Sequence, residues 1–200
     1  MENNSDINGL VLTGGFSRRM GKDKASLDFH GKPQFVYLFE LLKTVCTKVF
    51  LSCRKDQSKQ FGEQFPMIFD IHDGIGPMNG LLSFFEKHPR KACLLVACDM
   101  PFIDKSALLF LIDNRNSANI ATAYTSKKDF PEPLLTIWEP TSYNTLNDSF
   151  KKGNFSLRDI LQKENCTILK TKNEKTLLNI NKPEELEAIR IALHLPPEKL

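Results

Sequence analysis

The chain has 200 residues, 41% hydrophobic and 26% charged, a balance that suits one globular α/β domain and excludes wholesale disorder. Its net charge of +3 is too mild for a dedicated nucleic-acid-binding surface. No apolar run approaches the ~20 residues of a membrane span, and the first residues do not resemble a secretory signal. We therefore expect a single soluble, cytoplasmic domain over residues 1–200, without nucleic-acid or membrane partners.

Apolar runs of strand length alternate with helical spacing in the first part of the chain. The runs predict strands at 9–12, 48–53, 66–69, 92–98 and 119–124. Between them, the apolar residues from Phe35 to Val45 recur at helical spacing, Pro77 opens a second helix and Asp104 caps a third. Strands that alternate with helices form βαβ units, so this pattern predicts a largely parallel sheet covered on both faces.

After about residue 115 the alternation loosens. The apolar pattern predicts strands at 134–138, 166–169 and 177–180, and helices at 141–150 and 156–163. A final helix opens at Lys182-Pro183 and carries Leu186, Ile189 and Leu193 on one side.

The five cysteines are odd in number, form no CxxC pair and lie mostly in apolar segments. They stand at Cys46, Cys53, Cys93, Cys98 and Cys166. This setting predicts reduced, buried thiols. The four histidines are scattered, so neither a zinc cluster nor a catalytic triad starts from them.

Three polar loops follow predicted strands, at 13–24, 70–80 and 99–104. In an open parallel sheet the ligand lies beyond the carboxyl ends of the strands, so we expect these loops to meet at one site.

The first loop combines two glycines with clustered positive charge. Gly14 and Gly15 follow the strand, and four basic residues come within the next few positions: Arg18, Arg19, Lys22 and Lys24. Glycine amides with basic side chains suit a polyphosphate. The spacing is neither a Walker P-loop nor GxGxxG, and a glycine turn followed by a solvated basic loop is the alternative.

The other two loops carry weaker signals. The glycines of 70–80 leave backbone groups open that would suit the edge of a base, although a plain turn before a helix also explains them. Asp99 ends a very apolar strand, where a carboxylate either caps a turn or holds a hard cation together with a phosphate. Asp104 is expected to be a helix cap rather than a metal ligand.

The string from Leu12 to Lys24 (LTGGFSRRMGKDK) resembles the signature of the molybdenum-cofactor guanylyltransferase family. Members of this family are small nucleotidyltransferases. Further similar motifs stand at 31–33, 76–77, 98–101, 157–158 and 179–184. The resemblance implies a Rossmann-like three-layer α/β/α sandwich with a mostly parallel sheet, of nucleotidyltransferase type. It also implies transfer of GMP from GTP to molybdenum-bound molybdopterin, which yields the guanine dinucleotide cofactor and pyrophosphate with Mg²⁺ as cofactor.

The resemblance implies roles for particular residues. Catalysis would fall to Arg18, Lys24 and Asp99, with Asp99 holding Mg²⁺. The nucleotide would contact Leu12, Thr13, Gly14, Gly15, Lys24, Ser52, Asp70, Gly76, Pro77 and Asp99. The phosphorylated acceptor would contact Arg19, Lys22, Arg158, Asn179 and Asn181. For Arg158, an ordinary surface arginine on a helix is an equal alternative.

Four departures from the family pattern keep other functions open. Thr13 replaces the usual Ala, Ser52 replaces Asn, Met78-Asn79 replaces Leu-Ala, and Glu132 replaces Gln. The first three concern base recognition, so a molybdopterin cytidylyltransferase or another small-molecule nucleotidyltransferase, such as a sugar-phosphate enzyme, is an alternative. The fourth concerns the acceptor side. A nucleotide-binding protein without catalysis is a further class, and proteins that deliver molybdopterin or mature molybdoenzymes are candidate partners.

Overall fold

The structure, a computed structural model, describes residues 6–14, 24–126, 129–180 and 183–193. Within these ranges one seven-stranded sheet has the order β3-β2-β1-β4-β6-β5-β7. The strands are β1 (Ile7–Leu12), β2 (Val49–Cys53), β3 (Met67–Phe69), β4 (Ala92–Ala97), β5 (Ala121–Thr125), β6 (Pro131–Trp138) and β7 (Cys166–Lys170). Only β6 runs antiparallel to its neighbours among these strands, which confirms the prediction of a mostly parallel sheet.

Helices cover both faces of the sheet. They are α1 (Gln34–Lys43), α2 (Pro77–Lys87), α3 (Lys105–Asp113), α4 (Ser142–Lys151), α5 (Leu157–Lys163) and α6 (Pro183–Ala192). On one face α1 and α3 bury Leu38 and Leu108, and on the other α2, α4 and α5 bury Phe84, Leu146 and Leu161. The central strands β1 and β4 are buried along their whole length, which explains their continuous apolar sequences. The predicted three-layer sandwich is confirmed.

Three predicted helix starts are confirmed. Pro77 occupies the first turn of α2, where its missing N–H costs no hydrogen bond. The Asp104 carboxylate accepts from the amide of Ala107 at 2.8 Å and caps α3. The Ser156 hydroxyl accepts from the amide of Asp159 at 3.2 Å and caps α5.

The final helix packs with the face that its spacing predicts. Ile189 is buried in a small cluster with Phe29 and Ile180, and Leu186 and Leu193 pack against that cluster.

The predicted strand at 177–180 is wrong. A short 3₁₀ helix, Glu174–Leu177, occupies its start, and the Asn173 side chain caps that helix by accepting from the amide of Lys175. Ile180 is buried, as its apolar neighbours suggested, but its amide donates to the carbonyl of Asp99 at 2.8 Å rather than to a strand. An apolar run predicts burial, but within this run only Ile180 is buried, and Leu178 is 49% exposed.

No helix in the described ranges is long and apolar enough to cross a membrane. All five cysteines are free thiols, and Cys53, Cys93 and Cys98 are buried.

Candidate active site at the carboxyl edge of the sheet

The carboxyl ends of β1 to β4 meet at one edge of the sheet, because these strands run parallel. In the sheet register Leu12 pairs with Ser52 on one side and with Ala97 on the other, and Cys53 pairs with Phe69. The residues that follow these strand ends therefore lie side by side. The structure thus brings the starts of the three polar loops together, as the sequence predicts.

Four predicted nucleotide contacts form a connected group at this edge. Both the amide and the hydroxyl of Thr13 donate to the carbonyl of Ser52, at 3.1 and 2.8 Å. The Ser52 hydroxyl in turn donates to the Asp70 carboxylate at 3.3 Å. A methyl group built on Gly14 would lie 3.7 Å from the same carboxylate. We call Thr13, Gly14, Ser52 and Asp70 the floor of the site.

Asp70 is a partly desolvated carboxylate. Burial raises its pKa, while the hydrogen bond from Ser52 and the charge of Arg54 lower it. Arg54 follows β2 directly, and its guanidinium also pairs with Asp56 at 3.1 Å. A carboxylate in such a place can accept hydrogen bonds from the hydroxyls of a ribose or the N–H groups of a base.

Helix α2 begins at this edge and rests on the floor. Gly76 precedes it with φ at +63°, and a methyl group built there would meet nothing within 4 Å. At Gly80, in the first turn, an added methyl group would lie 2.6 Å from Leu12 Cδ2 and 2.7 Å from Ser52 Oγ. Glycine at position 80 therefore allows the helix to approach the ends of β1 and β2 closely.

Asp99 stands just past β4, and its loop is held at three consecutive carbonyls. The amide of Ile180 donates to the carbonyl of Asp99 at 2.8 Å. The buried Gln34 side chain donates to the next carbonyl at 3.3 Å, and His30 Nε2 lies 3.0 Å from the one after that. These contacts fix the backbone from which the Asp99 carboxylate extends.

Strand β6 adds a second carboxylate beside Asp99. Because β6 runs against β4, its first residues lie at the carboxyl end of β4. Glu132 is only 8% exposed, and its Oε1 accepts from the amide of Leu134 at 2.9 Å. Burial raises the pKa of Glu132; the Leu134 hydrogen bond and the charge of Arg158 lower it, and the charge of Asp99 raises it. Arg158 and Asp99 therefore both act electrostatically on Glu132.

Two members of the predicted acceptor set are described. Arg158 is an exposed residue in the first turn of α5, which packs on β6, and its charge reaches Glu132. Asn179 precedes Ile180, which is bonded to the Asp99 loop, and its buried Oδ1 has no hydrogen-bond partner within the described part of the chain. Asn179 is therefore near Asp99, whereas Arg158 is near Glu132, on the β6 side of the sheet and away from Ser52 and Asp70.

Several predicted site residues fall outside the described residues, namely Gly15, Arg18, Arg19, Lys22 and Asn181. Lys24 opens a short 3₁₀ segment, Lys24–Ser26, but its side chain lies outside the description as well. Their predicted contacts with phosphates and acceptor stay predictions.

Sequence reasoning missed several residues that shape this edge. Gln57 accepts from the amide of Arg54 at 3.3 Å, and its Oε1 lies 3.9 Å from the methyl position built on Gly14. Gln34 and His30 hold the Asp99 loop across the fold. No local motif marks such contacts. The available signal was a polar residue on an apolar helix face, since Gln34 stands four residues before the buried Leu38.

The sheet order, the floor and the neighbouring carboxylates define an α/β nucleotidyltransferase-like protein. The model of the MobA-like NTP transferase domain matches residues 9–168. The chain belongs to this family.

Relatives and solved structures agree with this assignment. The molybdenum cofactor biosynthesis bifunctional protein of Synechocystis is 36% identical over 179 residues, covering 88% of this chain and 52% of the relative. The chain thus spans about half the length of that relative. A molybdenum cofactor guanylyltransferase of Pseudomonas putida is 24% identical over 181 residues, covering 89% of this chain and 94% of the relative.

The solved structure of molybdopterin-guanine dinucleotide biosynthesis protein A from Archaeoglobus fulgidus superimposes with a TM-score of 0.79. It is 23% identical, with 94% of this chain and 98% of that chain covered. The two proteins share one fold over nearly their whole length.

Proposed function

We propose that the protein transfers GMP from GTP to molybdenum-bound molybdopterin, forming the guanine dinucleotide cofactor and releasing pyrophosphate. The observation that carries this proposal is the convergence of the floor and Asp99 at one edge, in a chain of the NTP transferase family. Relatives named molybdenum cofactor guanylyltransferase align with nearly the whole chain, which favours guanylyl transfer over transfer in general.

The reaction requires that the two substrates are positioned and their charges neutralised, and it does not require a nucleophilic side chain. An oxygen of the acceptor's terminal phosphate attacks the α-phosphorus of GTP. A new P–O bond forms there, the bond to the β-phosphate oxygen breaks, and pyrophosphate leaves with the electron pair. Because two anions must meet, the protein has to hold them close and compensate their charge.

The floor accounts for the nucleotide half of this task. Asp70, oriented by Ser52, would accept hydrogen bonds from the nucleoside, and the backbone of Leu12 to Gly14 would lie along the nucleotide. Gly76 and Pro77 would border the base. The basic residues of the first loop, Arg18 and Lys24 in particular, would meet the β- and γ-phosphates, an assignment that rests on the resemblance of residues 12–24.

The donor set at Asp99 suits Mg²⁺. Asp99 and Glu132 offer hard carboxylate oxygens. They are two ligands rather than a full protein cage, since the described ranges contain no group of three or more His, Cys, Asp or Glu that could hold a metal. Mg²⁺ bound with a nucleotide characteristically uses one or two carboxylates and takes its other ligands from phosphates and water. Asp99 would hold the ion, which when bound supplies charge neutralisation at the triphosphate.

The acceptor would lie on the β4–β6 side of Asp99. Arg158 would attract its phosphate, and Asn179 would contribute the buried Oδ1 that has no partner within the described part of the chain. Arg19, Lys22 and Asn181 complete the acceptor set by resemblance. The five free cysteines are typical of a reducing compartment, so we place the reaction in the cytoplasm.

Pyrophosphate release from GTP in the presence of loaded molybdopterin and Mg²⁺ tests the function. We expect release from the wild-type protein and a rate at least about 100-fold lower for Asp99→Asn, the scale expected for removing one preorganised electrostatic group. Asp104→Asn is the matched control, because asparagine also caps helices and Asp104 lies in the same loop.

Two outcomes would contradict the proposal. Pyrophosphate release by the wild-type protein with CTP but not with GTP would favour a cytidylyltransferase. The departures that favour this alternative are Ser52, in the floor, and Met78-Asn79, in the first turn of α2. A wild-type rate in the Asp99→Asn variant would remove Asp99 from its role.

A further inference from the structure

The segment between β3 and α2, residues 70–76, is tied to α2 by two buried side chains. Asn79 Oδ1 accepts from the amide of His72 at 3.1 Å, and Asn79 Nδ2 donates to the carbonyl of the same residue. Ser83, one turn further along α2, accepts from the amide of Ile71 at 3.2 Å. Three backbone groups of the segment are thus hydrogen-bonded to side chains of one helix.

The four bonds form one connected network with a fixed direction. The Ser83 hydroxyl also donates to Asn79 Oδ1 at 3.5 Å, so it accepts one hydrogen bond from Ile71 and donates another to Asn79. Turning the Asn79 carboxamide over would set two donors against each other at the amide of His72 and two acceptors at its carbonyl. The orientation of Asn79 therefore follows from its partners.

Burial makes the network costly to lose. Asn79 is 4% exposed and Ser83 is fully buried. Without the carboxamide, the N–H and C=O groups of His72 would lose these partners, and the structure gives them no other partner within the described residues. Asparagine also has a low helix propensity, so its presence in the first turn of α2 is explained by the segment and not by the helix.

The tied segment begins with a residue of the floor. Asp70 is its first residue, two positions before the clamped His72. On its outer side the His72 ring stacks on Phe150 at 4.3 Å between ring centroids. Farther along, Gly74 and Gly76 have positive φ and open space where a side chain would stand. The segment is thus fixed at its start and presents bare backbone at its end.

We propose that Asn79 is a positioning residue for nucleotide binding: its carboxamide fixes the His72 peptide and thereby sets the position of Asp70 and of the open backbone at Gly74 and Gly76. This inference rests on the proposed function, since it concerns the nucleotide site of that reaction. Asn79 acts through the segment and is not itself assigned a contact with substrate.

Calorimetric titration of GTP into the wild-type protein, Asn79→Ala and Ser83→Ala tests the proposal, together with steady-state kinetics. We expect Asn79→Ala to weaken GTP binding about tenfold, the equivalent of about one net hydrogen bond. The KM for GTP should rise by a similar factor, while kcat at saturating GTP and the KM for the acceptor stay within about twofold. Ser83→Ala should weaken GTP binding in the same direction but less.

Ser142→Ala is the matched control. Ser142 is fully buried, and its hydroxyl donates to the carbonyl of Glu139 at 2.7 Å at the start of α4, away from this edge. It should lower Tm without changing GTP affinity. Asn79→Asp supplies a conservative rescue: when protonated, its carboxyl group can both accept from and donate to His72, so its affinity relative to wild type should recover as the pH falls.

The outcomes separate this inference from the function on which it rests. If the wild-type protein binds GTP and Asn79→Ala binds it equally well, the positioning role is refuted and the function stands. If Ser142→Ala lost as much GTP affinity as Asn79→Ala, the loss would be due to general destabilisation, and the positioning role of Asn79 would be refuted. If the wild-type protein binds no nucleotide, both fail. Should Asn79→Ala not fold, wild-type affinity in Ser83→Ala would count against the proposal.

Discussion

Replacing Gly80 with alanine tests how closely α2 must rest on the floor of the site. The new methyl group would lie 2.6 Å from Leu12 Cδ2 and 2.7 Å from Ser52 Oγ, far inside van der Waals contact. Alanine stabilises a helix by about 1 kcal/mol relative to glycine, whereas overpacking a core costs about 1–3 kcal/mol. The net expectation is a loss of up to about 2 kcal/mol in the free energy of unfolding.

The larger effect should fall on nucleotide binding. Leu12 can turn away its terminal methyl group, but the Ser52 hydroxyl can avoid the new methyl only by leaving Asp70, to which it donates at 3.3 Å. A displaced Asp70 would lose its hydrogen bond to the nucleoside, and a bond to a charged group contributes about 1.5–3 kcal/mol. We therefore expect GTP to bind at least about tenfold more weakly. Urea denaturation gives the stability change, and calorimetry gives the affinity.

Gly9→Ala is a matched control for this experiment. Its methyl group would lie 2.9 Å from Leu42 Cδ1, within the core between β1 and α1. It should reduce stability and leave GTP affinity unchanged. Wild-type GTP affinity in Gly80→Ala, or an equal loss of affinity in Gly9→Ala, would refute the reasoning.

Two further predictions concern stability away from the site. Arg115 and Glu139 form a buried bidentate ion pair at 2.6 and 2.7 Å. Arg115→Met should lower the free energy of unfolding by about 3–5 kcal/mol, because it leaves the Glu139 charge buried without this partner. Adding Glu139→Gln should restore part of that loss, as measured by urea denaturation. No restoration in the double variant would contradict this explanation. Burial raises the pKa of Cys46 from 9.0 to about 12, so between these values the unfolded chain has released a proton that the folded chain keeps. Stability should therefore fall as the pH rises above about 9, and Cys46→Ala should fall less steeply, by up to ~1.4 kcal/mol per pH unit; parallel curves would show that this thiol does not contribute.

Much of the fold could be predicted because its signals are local. The apolar runs of β1 and β4 are continuous since both faces of these strands are covered, and Pro77, Asp104 and Ser156 mark helix starts by their own chemistry. The segment at 177–180 failed for the opposite reason. Its one buried residue, Ile180, is covered by the Asp99 loop and by α6, which no local pattern reveals.

The same division holds for the site. Gly14 and Asp99 could be singled out because each lies in a loop after a strand, and the parallel sheet gathers strand ends. The predicted roles of Thr13 and Asp70 came from the family resemblance. The contacts that support these residues could not be predicted from the sequence. The Gln34 bond to the Asp99 loop, the Asn79 clamp on His72 and the position of Glu132 beside Asp99 join residues distant in sequence, or depend on the reversed direction of β6. Glu132 and Asn79 stood out only as departures from a family pattern.

The most direct measurement is calorimetric binding of GTP, CTP and ATP to the wild-type protein, each with Mg²⁺ and with EDTA. Guanylyl transfer predicts that GTP binds more tightly than CTP and ATP, and that EDTA weakens its binding. Preference for CTP would assign the protein to cytidylyl transfer, with the departures at Ser52 and Met78-Asn79 as the cause of the altered base recognition. Binding of no nucleotide under either condition would contradict a nucleotidyltransferase function altogether.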